Sequence, residues 1–123
     1  MDTVLITIPA QPAYVQVIRL IAAGLAARLS FTIEDIEDLK IGVDELTAYL
    51  TGTQGREGTL EVKFGVADER IEISGAGRFT AEYKVRTDLT DFSRMILETV
   101  ADSASLEHRN GTPTFNLVKS KHA

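Results

Sequence analysis

Residues 32–52, TIEDIEDLKIGVDELTAYLTG, carry the clearest structural signal in the chain. Thr32 is a favourable N-cap residue, and Asp35, three positions later, can act as an acidic version of the capping-box partner. Apolar residues then recur at helical spacing up to Gly52, a typical helix stop. These apolar positions are Ile36, Leu39, Val43, Leu46 and Leu50. The stretch therefore predicts an amphipathic helix.

A strand and another helix are predicted immediately upstream. Residues 4–8 form a short apolar run that Pro9 ends, and Pro12 suits the first turn of a helix. Apolar residues in the following stretch recur at helical spacing and give that helix one apolar face. They are Ile18, Ile21, Ala22, Leu25 and Leu29. Two helices are thus expected to follow one strand with almost no linker.

The hydrophobic pattern changes to a period of two after the second helix. Residues 60–66 alternate apolar and polar, which predicts a half-buried strand. Residues 67–70 are expected to turn the chain, and Ile71 and Ile73 to begin a partner strand. The glycines and polar residues of the stretch 75–88 predict an irregular loop.

A third helix and a final hairpin complete the predicted order. Residues 89–101 have helical spacing and carry four apolar residues on one side, namely Leu89, Phe92, Ile96 and Val100. The pair Asn110-Gly111 between two alternating stretches is typical of a hairpin turn. The order β-α-α-β-β-α-β-β predicts an α+β fold, a two-layer sandwich with helices on one face of a mainly antiparallel sheet.

Composition and charge set limits on function. The 123 residues, 44% of them hydrophobic, suit a single domain over residues 1–123. A net charge of −5 argues against a direct nucleic-acid partner. The absence of cysteine and the two distant histidines leave no metal site to expect. The apolar stretch 15–29 is short and interrupted by charge, and residues 1–9 are no signal peptide, so a cytoplasmic location without a membrane partner is expected.

Two segments resemble a known family. The segment IPAQPAYVQVIRL, residues 8–20, looks like the first strand–helix junction of the bacterial anti-sigma factor/serine-protein kinases of RsbW type. The segment EDLKIGVDE, residues 37–45, looks like their second helix. These proteins belong to the GHKL ATPase superfamily, and the predicted element order matches that fold across essentially the whole chain. The resemblance implies a GHKL/Bergerat-like domain, a sigma factor and an anti-anti-sigma factor as partners, and a homodimer.

The family's first nucleotide motif is E-x-x-x-N on the second helix. Residues four positions apart share one helix face, so the Glu can act as general base while the Asn holds Mg²⁺. Glu45 matches the catalytic Glu, whereas Tyr49 stands at the Asn position. A phenol is a poor ligand for a hard cation that prefers carboxylate or amide oxygens.

Two further nucleotide motifs also depart from the family pattern. In the D-x-G-x-G turn, Gly75 replaces the adenine-reading Asp, Gly77 is retained and Phe79 replaces the last glycine. The phosphate-binding G-x-G pair falls on Asp91 and Ser93. The resemblance therefore implies a degenerate nucleotide site, and no cofactor is expected.

Arg19 matches the arginine through which family members contact both the sigma factor and the anti-anti-sigma partner. The leading hypothesis is an anti-sigma regulator that sequesters a sigma factor, is released by an anti-anti-sigma protein and has lost its ATP-dependent kinase activity. The alternative is an active Mg·ATP-dependent serine-protein kinase with Glu45 as base, phosphorylating an anti-anti-sigma factor. A plain interaction or dimerisation domain is a third possibility.

Several of these residues also have a purely structural interpretation. Glu45 and Arg19 could be solvated helix residues, and Tyr49 could fill volume in the core or in a pocket. Lys119, Lys121 and His122 are expected to belong to a solvated tail.

Overall fold

Five strands and three α-helices follow one another in the order β-α-α-β-β-α-β-β in the computed structural model, which describes residues 1–122. The elements are β1 (Asp2–Pro9), a 3-10 turn (Pro12–Tyr14), α1 (Val15–Arg28), α2 (Ile33–Thr51), β2 (Gly58–Val66), β3 (Arg70–Phe79), α3 (Asp91–Val100), β4 (Ser103–Arg109) and β5 (Thr112–Ser120). The predicted order and the α+β fold class are confirmed.

The strands form one antiparallel sheet in the order β1-β2-β3-β5-β4. Alternate residues of β2 and β5, such as Phe64 and Phe115, are fully buried and belong to one apolar cluster with Ile18 of α1 and Leu46 of α2. Burying each such side chain contributes about 1.5–3 kcal/mol. The core therefore lies between the helices and one face of the sheet.

Helix α2 begins and ends where the sequence predicts. The Thr32 hydroxyl accepts a hydrogen bond from the Asp35 amide at 3.0 Å, and Gly52 ends the helix with φ +66°. The prediction that the Asp35 side chain acts as the capping-box partner of Thr32 is wrong. That carboxylate lies 3.0 Å from the His122 amide and 2.8 Å from its Nδ1. Because it is buried, it requires cationic or N–H partners.

Lys119 corrects the prediction of a solvated tail. The period of β5 directs this residue inward after Phe115 and Leu117, and only 3% of it is exposed. Its Nζ lies 3.5 Å from Asp35 Oδ1 and 3.4 Å from Asp38 Oδ2. Burial by itself raises the pKa of Asp35, but the His122 hydrogen bonds and the Lys119 charge outweigh it and lower that pKa below 3.8.

The prediction that an irregular loop begins at residue 75 is also wrong, because β3 continues to Phe79. Gly75 lies in register with Val62 on one side and Phe115 on the other. A Cβ at Gly75 would collide with the Phe115 ring, and one at Gly77 would collide with the Phe79 ring. These glycines make room for aromatic rings within a strand and do not form a turn.

The buried face of α3 agrees with the predicted one at Val100 but not at Phe92. Thr90 caps it by accepting a hydrogen bond from the Ser93 amide at 3.0 Å. Ser93, Leu97 and Val100 point inward, whereas Phe92 is 68% exposed. Phe92 was expected on the buried side, but packing against α2 selects the Ser93 side. The β4–β5 hairpin is confirmed, with the turn at Asn110 and Gly111.

Candidate functional site

Helix α2 packs against α1 on one side and α3 on the other. Two adjacent carboxylates on α2 contact these two helices. Asp44 lies against Arg19 of α1, with 3.0 Å between Oδ1 and Nε. Glu45 lies against Ser93 of α3, with 2.6 Å between Oε2 and Oγ. The residues that the sequence analysis singled out therefore fall into two separate places.

Four side chains form a closed set of hydrogen bonds between α2 and α3, here called the α2–α3 network (Glu45, Tyr49, Thr90 and Ser93). The Ser93 hydroxyl donates to Glu45 and lies 2.8 Å from the Tyr49 hydroxyl and 3.0 Å from the Thr90 hydroxyl. The Thr90 amide donates to the Tyr49 oxygen at 3.1 Å. A serine hydroxyl has one proton and two lone pairs, so this arrangement uses all of them.

The Tyr49 phenol sits where it acts as a hydrogen-bond acceptor at the start of α3. Burial by itself raises the pKa of Tyr49, but the hydrogen bonds around its oxygen, including the one that the Thr90 amide donates, outweigh burial and lower that pKa below 10.0. The start of a helix presents free N–H groups and the positive end of the helix dipole, which favour negative charge. The Tyr49 oxygen therefore occupies a position suited to an anion.

The residues predicted for nucleotide binding are only partly brought together. Glu45, Tyr49 and Ser93 share the α2–α3 network. Gly75 and Gly77 lie in β3 against Phe115 and Phe79, respectively.

Asp91 is exposed in the first turn of α3. Sequence reasoning missed Thr90, although a threonine three residues before Ser93 is a recognisable N-cap signal.

Residues 80–90, which connect β3 to α3, are tied to the C-terminal end of α2. The Glu57 amide donates to the Tyr83 hydroxyl at 2.8 Å. The Arg56 guanidinium lies 5.1 Å from the Tyr83 ring centre and 5.7 Å from that of Phe79. Arg56 Nε also donates to the Leu50 carbonyl at 2.7 Å. Cation–π contact and hydrogen bonding thus hold this connection against the helix layer.

A groove of about 1060 Å³ opens beside this connection. Its lining includes residues 77–85 and the β4–β5 turn, but neither Glu45 nor Tyr49. The groove is therefore separate from the α2–α3 network. Within residues 1–122, no group of three or more histidine or acidic side chains is arranged to hold a metal ion.

On the other side of α2, the contact between Arg19 and Asp44 is close but incomplete. The Arg19 Nε is buried, and no acceptor among residues 1–122 meets it in hydrogen-bonding geometry. The two side chains are 31% and 49% exposed. Burial raises the pKa of Asp44, Arg19 and Lys40 partly oppose this, and the neighbouring Glu45 adds to it. The charged form of Asp44 is thus poorly accommodated.

Helix α1 and the 3-10 turn before it also expose apolar side chains. Tyr14, Val17 and Leu20 are 46%, 38% and 62% exposed, while the opposite face of α1 is buried in the core. Exposed apolar side chains on neighbouring turns are typical of an interaction surface. None of the described helices is long and apolar enough to cross a membrane.

Comparison with known proteins gives a consistent result, although no protein-family model matches the chain. The chain is 37% identical over 75 residues to the serine-protein kinase RsbW of Bacillus subtilis, covering 58% of this chain and 47% of that protein. It is 40% identical over 77 residues to the serine-protein kinase RsbW of Bacillus pumilus, covering 58% and 48%. The chain thus spans about half the length of these curated relatives.

A solved structure shares the fold. The crystal structure of the RsbU and RsbW domains of a Mycobacterium tuberculosis protein superposes with a TM-score of 0.70 at 19% identity, covering 98% of this chain and 33% of that one. Sequence similarity and fold agree with the resemblance carried by residues 8–20 and 37–45. The chain is thus similar to RsbW proteins in sequence and shares its fold with a chain that contains an RsbW domain, in line with the resemblance found in its sequence.

Proposed function

We propose that this chain is an RsbW-like anti-sigma regulator that binds and sequesters a sigma factor and has lost ATP-dependent kinase activity. An anti-anti-sigma protein that competes for an overlapping surface releases the sigma factor. The observation that carries the proposal is the α2–α3 network. In it, the residues at the positions of the family's nucleotide motifs are hydrogen-bonded to one another.

The residues of the network do not fit Mg·ATP. The fourth residue after Glu45 is Tyr49. Its phenol is a poor Mg²⁺ ligand, and its oxygen already accepts a hydrogen bond from the Thr90 amide. The Ser93 amide is bonded to the Thr90 hydroxyl, so this donor at the start of α3 is not free for a phosphate. The Glu45 carboxylate accepts the Ser93 hydroxyl. We therefore derive no phosphoryl-transfer step through this site.

The surface on α1 supports the protein-binding half of the proposal. Arg19 is always charged and offers a planar set of donors, which suits a carboxylate at a protein interface. Tyr14, just before α1, and Val17 and Leu20 on this helix add exposed apolar area. The curated relatives are named as serine-protein kinases, so sigma-factor binding rests on the family resemblance and on this surface.

The proposal includes a homodimer in the cytoplasm. Strand β1 is an edge of the sheet, and Leu5 on this strand is 72% exposed. An exposed edge strand with apolar side chains favours pairing with another chain. Sedimentation equilibrium of the purified chain tests this part, and a single-chain mass at all concentrations would contradict it.

Affinity capture tests the main claim. The immobilised chain, its Arg19→Met variant and its Arg28→Met variant are each exposed to a lysate of the bacterium that carries the gene. Arg28 also lies on α1 and is exposed, so its variant is a matched control for lost charge. We expect a sigma factor with the wild type and with Arg28→Met, and its loss with Arg19→Met. Absence of any sigma factor from the wild-type fraction would contradict sigma binding.

A phosphorylation assay tests the loss of kinase activity. The purified chain is incubated with radiolabelled Mg·ATP and the anti-anti-sigma protein of the same bacterium. We expect no transfer of the γ-phosphoryl group to a serine of that protein. Transfer that disappears in Glu45→Gln would establish the active kinase with Glu45 as base.

A further inference from the structure

The ion pair between Arg19 and Asp44 is built in a way that allows exchange. Arg19 Nε and Asp44 Oδ1 are 3.0 Å apart, yet the buried Nε forms no hydrogen bond to any atom of residues 1–122. A guanidinium bonds a carboxylate most strongly through two parallel N–H···O bonds. Both side chains are also partly exposed, and pairs of this kind are weak. Asp44 is thus a close but poor partner for Arg19.

The two residues line a cleft of about 360 Å³ between α1 and α2. Thr47 and Thr51 line the same cleft, but their hydroxyl protons are used by the Val43 and Gly52 carbonyls. The charge of the cleft is therefore supplied by Arg19 and Asp44. A segment that enters it meets one cation, already held by one anion.

We propose that Asp44 occupies the Arg19 guanidinium in the free protein and that an acidic side chain of the protein partner displaces it, so that Asp44 limits affinity and selects among partners. This inference rests on the proposed function, because it assumes that a partner binds through Arg19. It goes further by naming the residue that competes with the partner.

The expected occupant is a peptide segment with a carboxylate between apolar residues. The carboxylate pairs with Arg19 and supplies the missing acceptor for Nε. Apolar neighbours pack against Pro12, Val15 and Ala48, which line the same cleft. The Asp44 side chain is already 49% exposed, and partly exposed ion pairs are weak, so moving this side chain away from Arg19 costs little. The competition is then decided by how well the incoming carboxylate fits the guanidinium.

A random library of 12-residue peptides displayed on phage tests this inference without a known partner. Selection is carried out on the wild-type chain and on Asp44→Asn, and selected peptides are measured by fluorescence anisotropy. Arg19→Met removes the guanidinium. Glu34→Gln removes one negative charge from the exposed first turn of α2 and serves as the matched control. Thermal unfolding confirms that each variant is folded.

We expect selected peptides to carry Asp or Glu beside apolar residues. Asp44→Asn should bind them at least about fivefold more tightly than wild type, the lower end of usual coupling strengths. Arg19→Met should lose at least about tenfold in affinity, as for a residue central to an interface. Glu34→Gln should match wild type.

Peptides without acidic residues, equal binding by wild type and Asp44→Asn, or an equal gain in Glu34→Gln would each overturn the inference, as would failure to select any peptide. Failure of the proposed function has a different signature. In that case the library yields peptides that need Arg19 for binding and that bind Asp44→Asn more tightly than wild type, but affinity capture yields no sigma factor.

Discussion

Asp44 and Glu45 are neighbours in the chain and carry the same functional group, but Asp44 contacts α1 and Glu45 contacts α3. Glu45 belongs to a part-buried set of hydrogen bonds in which the Ser93 hydroxyl uses its proton and both lone pairs. Asp44 lies in a partly exposed pair whose buried nitrogen is left without a hydrogen bond among residues 1–122. One helix therefore has a closed side and an open side.

The difference indicates where a ligand can bind. On the closed side, an incoming group has to break hydrogen bonds that are already complete, and leaving a buried polar group unpaired costs about 1–3 kcal/mol. On the open side, an incoming carboxylate can complete a pair that is incomplete. The α3 side is suited to holding the fold, whereas the α1 side is suited to exchanging partners.

The largest effect on stability is expected at the buried charged groups near the N-terminal end of α2. Lys119→Met leaves Asp35 and Asp38 without their buried ammonium partner. The free energy of unfolding should fall by about 3 kcal/mol, as when one partner of a buried pair is removed. Denaturant unfolding measures this, with Lys121→Met as control. A loss no larger than that of the control would show that Lys119 does not hold α2.

Ser93→Ala tests the closed side directly. The substitution removes the hydroxyl that joins Glu45, Tyr49 and Thr90. We expect a loss of about 2 kcal/mol in the free energy of unfolding, since several partners lose a hydrogen bond. Thr99→Ala on the exposed face of α3 is the control. If the two variants have equal stability, the network is not closed in solution.

Tyr49→Phe removes one hydroxyl and leaves the Thr90 amide without its acceptor. The expected loss is about 1 kcal/mol, the usual contribution of one hydrogen bond. Absorbance titration of the tyrosines supplies a second readout. Because the pKa of Tyr49 is lowered, one phenol of the folded wild type should ionise below pH 10.0, and Tyr49→Phe should lose this transition. Its persistence in the variant, with Tyr14→Phe as comparison, would contradict the assignment.

Asp44→Asn should have the smallest effect on stability. The pair with Arg19 is partly exposed, and pairs of this kind contribute about 0–1 kcal/mol. The free energy of unfolding should therefore change by less than about 0.5 kcal/mol, as for most surface substitutions. Denaturant unfolding measures it. A loss as large as that of Ser93→Ala would remove the contrast between the two sides of α2.

Local signals were sufficient to predict most elements of the fold. Thr32 and Gly52 bound α2 because caps depend on residues a few positions apart. The Asn110-Gly111 turn fixed the hairpin for the same reason. The resemblance to the RsbW family also came from contiguous segments, and the comparisons confirmed it.

Features that depend on distant residues were missed. Gly75 looks like a loop residue until the Phe115 ring, on another strand, is seen to need its space. Lys119 looks like a tail residue because its partner Asp35 is far upstream on α2. Ser93 rather than Phe92 faces inward because α2 supplies Glu45 and Tyr49 as partners. No local pattern in the sequence contains these pairings.

Thermal unfolding with and without millimolar Mg·ATP, repeated with ADP and GTP, tests the central claim most directly. If the side chains of the α2–α3 network close the nucleotide site, none of the nucleotides should change the unfolding midpoint. A ligand at 100 times its dissociation constant stabilises a fold by about 2.7 kcal/mol, which raises the midpoint of a domain of this size by on the order of 10 °C. A rise of that size with Mg·ATP would contradict a closed nucleotide site and would favour the alternative of an active kinase.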